Sequence, residues 1–110
     1  MEKDLFTQII KEIPSVNYGI SGLEVHRSHT KEGTMYFVAA HEEVEFPTHQ
    51  HAEQWTIVLS GKCTYTAEGK TTVYKKGDTY TIPADTPHQI TLHKGYSEVD
   101  YVNDPNDGEY

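Results

Sequence analysis

Three of the seven histidines in this chain stand where their spacing can do chemistry. His49 and His51 are separated by a single residue. On a strand successive side chains alternate, so both imidazoles face one side and two ring nitrogens can meet one ion. Alone, such a pair is more often solvated surface than a metal site. Gln54 lies just beyond it, and a further donor, His88, ends the segment Gly77-Asp78-Thr79-Tyr80-Thr81-Ile82-Pro83-Ala84-Asp85-Thr86-Pro87-His88. Pro83 and Pro87 restrict the backbone that delivers His88, so their role is positional.

The elements that must hold these groups are mostly short strands. From Val16 to Val102 the chain breaks into runs rich in Thr, Val, Tyr and Ile, punctuated by Lys31-Glu32-Gly33, Glu68-Gly69-Lys70, Lys76-Gly77-Asp78 and Lys94-Gly95. The clearest strands are Met35 to His41, Gln54 to Leu59, Cys63 to Ala67, Thr71 to Lys75, Tyr80 to Pro83, Gln89 to His93 and Ser97 to Val102. Many hairpin signals and little helix predict an all-β fold, closed or double-sheeted, that leaves few long edges exposed. Residues 1–14 form the lead-in. Apolar side chains at Leu5, Phe6, Ile9, Ile10 and Ile13 predict a short amphipathic helix ending before Pro14. The barrel is expected over 15–103, and 104–110 form an acidic tail with little to bury, expected to fray.

Around the histidines the sequence resembles the cupin family, whose fold is a small double-sheet β-barrel or jelly roll. Its first motif, G-x5-H-x-H-x3,4-E-x6-G, is met by His49, His51, Gln54 and Gly61, and its second, G-x5-P-x-G-x2-H-x3-N, by Gly77, Pro83 and His88. The likeness covers about residues 35–102. Glu43 stands at the first glycine, Asp85 at the inner glycine and Leu92 at the asparagine, and the loop before Gln54 is one residue short. Asp85 is compatible with a tight turn, because Asp visits the left-handed region. The resemblance implies a metal site of His49, His51, Gln54 and His88, with a neutral amide replacing the family's carboxylate. Three imidazoles favour Zn, Ni, Cu or Fe over Mg or Ca, and the implied cofactor is one divalent transition metal, Zn, Ni, Fe or Mn. Glu53 is a rival ligand that alternation turns away from Gln54.

Strand parity places Thr56 and Val58 with Gln54, and Ile90 and Leu92 with His88, as apolar pocket lining. Tyr36, Tyr65, Tyr74 and Tyr80 read as sheet packing or as phenols offered to a ligand. Cys63 reads as a small buried hydrophobe, Trp55 as an outward packing or interface anchor, and His26, His29, His41 and His93 as structural or solvated.

The 110 residues suffice for one domain, and Lys plus Arg number 9 against 17 Asp plus Glu, a net charge of −8. Nucleic acid and anionic membranes are therefore excluded as expected partners. The polar start and single cysteine suggest a cytoplasmic address, and the small barrel suggests a homodimer. The expected function is metal-dependent action on a small organic molecule, as a dioxygenase or as an isomerase or lyase. The alternative is a non-catalytic module that binds a small metabolite or sugar; a plain β-sandwich with incidental histidines is the third reading.

Overall fold

The computed structural model describes residues 4–109. One helical turn, α1 (Gln8–Lys11), precedes nine strands: β1 (Leu23–His29), β2 (Thr34–Ala40), β3 (Val44–His49), β4 (Gln54–Ser60), β5 (Lys62–Ala67), β6 (Lys70–Lys75), β7 (Thr79–Ile82), β8 (His88–Leu92) and β9 (Ser97–Val102). They form a five-stranded sheet in the order β1-β2-β9-β4-β7 and a four-stranded sheet in the order β3-β8-β5-β6. Every strand pairing is antiparallel. This is a jelly-roll β-barrel, as expected. Among the described residues no helix is long and apolar enough to cross a membrane.

Alternation decides what each strand buries. On β4, Thr56 and Val58 point inward while Trp55 and Leu59 are exposed; on β7, Tyr80 and Ile82 are buried. Val58, Ile82 and Val102 of one sheet pack with Val44, Cys63 and Leu92 of the other, around the fully buried Tyr96. Cross-strand register then sets rows of inward side chains across the larger sheet. Tyr36, Asp100, Thr56 and Tyr80 occupy one row, and Thr34, Val102, Gln54 and Ile82 the next.

Three expectations are corrected. The N-terminal helix shrinks to four residues that bury nothing, and Ile9 is 78% exposed; residues 2 and 3 of the expected helix lie outside the described residues. Thr7 supplies no capping bond, and the segment is fastened by Phe6, whose ring meets His26 and Phe37 edge-on at 6.0 and 6.3 Å. The chain beyond Pro14 then runs along β1, where Arg27 N–H donates to the Pro14 carbonyl and Val16 N–H to that of Val25. Secondly, β1 and β3 lie outside the clear strand pattern. β1 reads as a polar stretch because His26 is buried on it, bonded to Glu24 at 2.6 Å. Thirdly, the acidic tail folds back instead of fraying. Tyr36 donates to the Asp107 carboxylate at 2.5 Å, and Glu109 meets His29 at 2.8 Å and Arg27 at 3.4 Å. Its acids find partners on β1 and β2 that composition does not reveal.

Gly61, in the β4–β5 turn, has φ +68° and no room for a side chain: a Cβ there would lie 2.7 Å from Tyr96 Cα and 2.8 Å from the Gly95 carbonyl oxygen. Gly69 has φ +74° but open space around it. Gly69→Ala should therefore cost about 1–2 kcal/mol, the left-handed penalty alone. Gly61→Ala should cost distinctly more, because backbone must move as well. Urea unfolding of the two variants measures the difference, and equal costs would contradict this account of the turn.

Candidate metal centre

His49 is the last residue of β3, His51 lies in the link to β4, and His88 opens β8, paired with His49 across a register shift. The first two therefore converge through a bulged strand end, whereas an uninterrupted strand was expected to carry both. Among the described residues these three form a group whose candidate ligand atoms all lie within 4.8 Å of one another. The ring centroids stand 4.3 Å apart for His49 and His88, 4.8 Å for His51 and His88, and 5.5 Å for His49 and His51.

The hydrogen bonds of the rings decide what the group can do. His49 Nδ1 donates to the Pro47 carbonyl at 2.7 Å, His51 Nδ1 to that of Ala52 at 2.7 Å, and His88 Nδ1 to that of Thr86 at 2.8 Å. A carbonyl only accepts, so each Nδ1 carries a proton, and in the neutral ring the Nε2 is then the nitrogen with a lone pair to offer a metal. Such outer bonds orient imidazoles in metal sites. Burial lowers the pKa of His88 below the ordinary histidine value, and His49 and His51 push it the same way against the opposing Thr86 bond. The donor set thus fits a transition metal: three oriented imidazoles, graded from exposed His49 to buried His88.

Gln54 lines the same cavity of about 470 Å³ as the three imidazoles. Its Nε2 donates to Thr56 Oγ1 at 2.9 Å. Glu53 is exposed and lies outside both the histidine group and the cavity lining. Of the expected lining residues, Ile90 and Leu92 border the cavity; Thr56 and Val58 do not, being 0% and 1% exposed behind it. Phe46, Val38 and Ile82 add apolar wall. The loop delivering His88 includes Asp85 at φ 57°, the left-handed turn expected there.

Two acids that the sequence reading missed, Glu98 and Asp100, also border the cavity from the central strand β9. Each is 5% exposed. Thr56 donates to Asp100 Oδ1 at 2.7 Å, while Glu98 accepts from the Tyr96 hydroxyl and, at 3.5 Å, from Tyr80. Burial, and then the neighbouring Glu98 charge, raise the Asp100 pKa well above the usual carboxylate range. Burial raises the Tyr80 and Tyr96 phenols too, so both remain donors. Strand parity with Val102 was the signal that could have found these acids. Tyr36 lines the cavity on its far side with Tyr18 and Asp107, and Tyr65 stacks near His88 at 5.6 Å. Cys63 is fully buried, its thiol raised by burial.

A family model described as "Cupin domain" matches residues 34–99. No curated protein matches the chain by sequence. Among solved structures, KdgF from Halomonas sp. is similar at TM-score 0.74 and 20% identity, covering 88% of this chain and 92% of that one. An RmlC-like cupin from Shewanella frigidimarina is similar at TM-score 0.74 and 18% identity, covering 88% and 89%. Oxalate decarboxylase from Bacillus subtilis, a protein with Mn(II) centres, is similar at TM-score 0.76 and 14% identity; the match covers 91% of this chain but only 29% of that longer one. At these identities the likeness concerns the fold.

Asp100 carries a prediction about pH. An unfolded Asp releases its proton near pH 4, whereas the folded chain keeps it to higher pH. Between those values the folded state binds more protons than the unfolded one, so stability falls as pH rises. Asp100→Asn removes this slope. Its urea midpoint should improve relative to wild type between pH 4 and pH 7, and a difference that stays flat across that range would refute the assignment.

Proposed function

The chain belongs to the cupin domain family, and from that premise we propose that it binds one divalent transition metal through His49, His51, His88 and the Gln54 amide oxygen and uses it on a small organic molecule, in proton-transfer chemistry of the isomerase or lyase kind. The observation that carries this reading is the meeting, in one cavity, of three imidazoles and a buried carboxyl group, Asp100, whose pKa burial raises well above the usual carboxylate range. When bound, the ion supplies Lewis-acid polarisation of a carbonyl or hydroxyl oxygen. The chain's own residues do the rest. Phe46, Ile90 and Leu92 enclose the carbon skeleton and exclude water. Asp100 borders the cavity with its pKa raised by burial and by the Glu98 charge, so it is the group to hold and pass a proton, and Glu98 accepts from the Tyr96 and Tyr80 hydroxyls beside it. Tyr36, its hydroxyl given to Asp107, keeps its phenol protonated and closes the opposite wall.

The second reading is non-catalytic binding of a small metabolite or sugar, favoured by the neutral donor at Gln54, which holds a hard cation less tightly than a carboxylate does. Dioxygenase chemistry on a redox-active ion is the remaining enzymatic form, and it would consume oxygen.

Elemental analysis of protein purified without chelators should find about one transition metal per chain, by analogy with single-ion sites built from three His and an oxygen donor. His49→Ala and His88→Ala should each abolish retention. With metal loaded, small ketones and hydroxyketones should exchange their α-protons in D2O, followed by NMR, and Asp100→Asn should slow exchange roughly 100-fold or more. Metal retention without exchange would favour the binding module, oxygen uptake with Fe(II) the dioxygenase. Retention unchanged in both histidine variants would remove the site altogether.

A further inference from the structure

Gln54 is an unsymmetrical ligand: only one end of its amide can bind a cation. The hydrogen bonds behind it form a chain with a direction. The Thr56 hydroxyl has one proton and gives it to Asp100 Oδ1 at 2.7 Å, so it has only lone pairs left for Gln54. Gln54 answers with Nε2, at 2.9 Å. Among the described residues Gln54 Oε1 has no hydrogen-bond partner, and the residue lines the cavity of the three imidazoles. Thr56 is 0% exposed and opposes Asp100 across the β4–β9 ladder, so its hydroxyl has no water to turn to instead.

We propose that Thr56 and Asp100 are positioning residues for the metal site, which fix the Gln54 amide with its oxygen toward the three imidazoles by drawing its NH2 into a one-way hydrogen-bond chain ending in the barrel interior. The proposal rests on Gln54 being a ligand and adds how its orientation is enforced. It also accounts for an amide at this position. A carboxylate at 54 would bring an acceptor to Thr56, whose single proton would then be contested between two carboxyl groups, leaving one buried acceptor unmatched.

The test uses Co(II) as a probe, read by titration and by its visible ligand-field spectrum. Thr56→Val keeps the shape and removes the hydroxyl. It should weaken Co(II) binding on the order of tenfold, as loss of an outer hydrogen bond to a ligand does, and shift the spectrum to that of Gln54→Ala. Thr56→Ser should restore both. In a Gln54→Ala background, Thr56→Val should weaken binding no further, since its effect passes through Gln54. Asp100→Leu, which frees the Thr56 proton to turn on Gln54, should reproduce the Thr56→Val spectrum and serves if Thr56→Val does not fold, as judged by thermal unfolding of the metal-free variants. An equal penalty with and without Gln54, or no penalty in either background, overturns the proposal. Loss of Co(II) in His88→Ala with full binding in Thr56→Val overturns this inference alone; full binding in His88→Ala overturns the metal site as well.

Discussion

Two carboxyl groups buried on one face of a central strand are the constraint around which the interior of this barrel is arranged. Glu98 and Asp100 face inward from β9, which lies between β2 and β4. A buried, unpaired carboxylate costs several kcal/mol, and among the described residues no lysine or arginine borders the cavity to balance one. The fold offsets this in two ways. Hydroxyl donors converge: Tyr96 and Tyr80 on Glu98, Thr56 on Asp100. And burial and the Glu98 charge raise the Asp100 pKa well above the usual carboxylate range, so the pair resists carrying two charges at once. Among the described residues no buried side-chain polar atom is left without a partner, as expected of a polar interior that is stable only when complete.

The imidazole group depends on that interior but is held by different means. Its rings are fixed locally, each Nδ1 by a carbonyl one or two residues away in its own segment. Backbone groups are rigid partners, and the three sites of attachment belong to two strand ends and the link between β3 and β4. The exposed end of the cavity therefore orients histidines through the backbone, whereas the deep end orients Gln54 through side chains. This division follows from burial: near the surface a loop can spare its carbonyls, while inside a sheet the carbonyls are committed to the ladder.

What could be read in the sequence follows the same division. The histidine positions were legible because ligand geometry set by local backbone leaves a short, fixed spacing, and the left-handed turn at Asp85 was legible for the same reason. The strand meander was visible wherever one face is apolar, as in β4 and β7. β9 was recognised as a strand but its acids were not recognised as inward, because Glu98 and Asp100 look like a solvent face until register sets them opposite Val58 and Thr56. β1 was obscured in the same way by buried His26. The N-terminal helix was over-read: spacing of apolar residues predicts a face, but of these residues only Phe6 is buried, and an isolated turn of QIIK has too few hydrogen bonds to extend itself.

The amide at Gln54 ties these observations together. A carboxylate ligand would neutralise part of the charge on a bound divalent ion and would itself be held by it. With Gln54 as the proposed ligand every donor would be neutral, and a bound ion would keep its full power to polarise an oxygen. Here the acids border the cavity from β9 instead, Asp100 with its pKa raised beside the Glu98 charge. A carboxyl group free of the metal can hold and release a proton, which a ligating one cannot. Under the proposed function, placing the acid on β9 rather than at the ligand position would exchange some affinity for the ion against a proton-carrying group beside it.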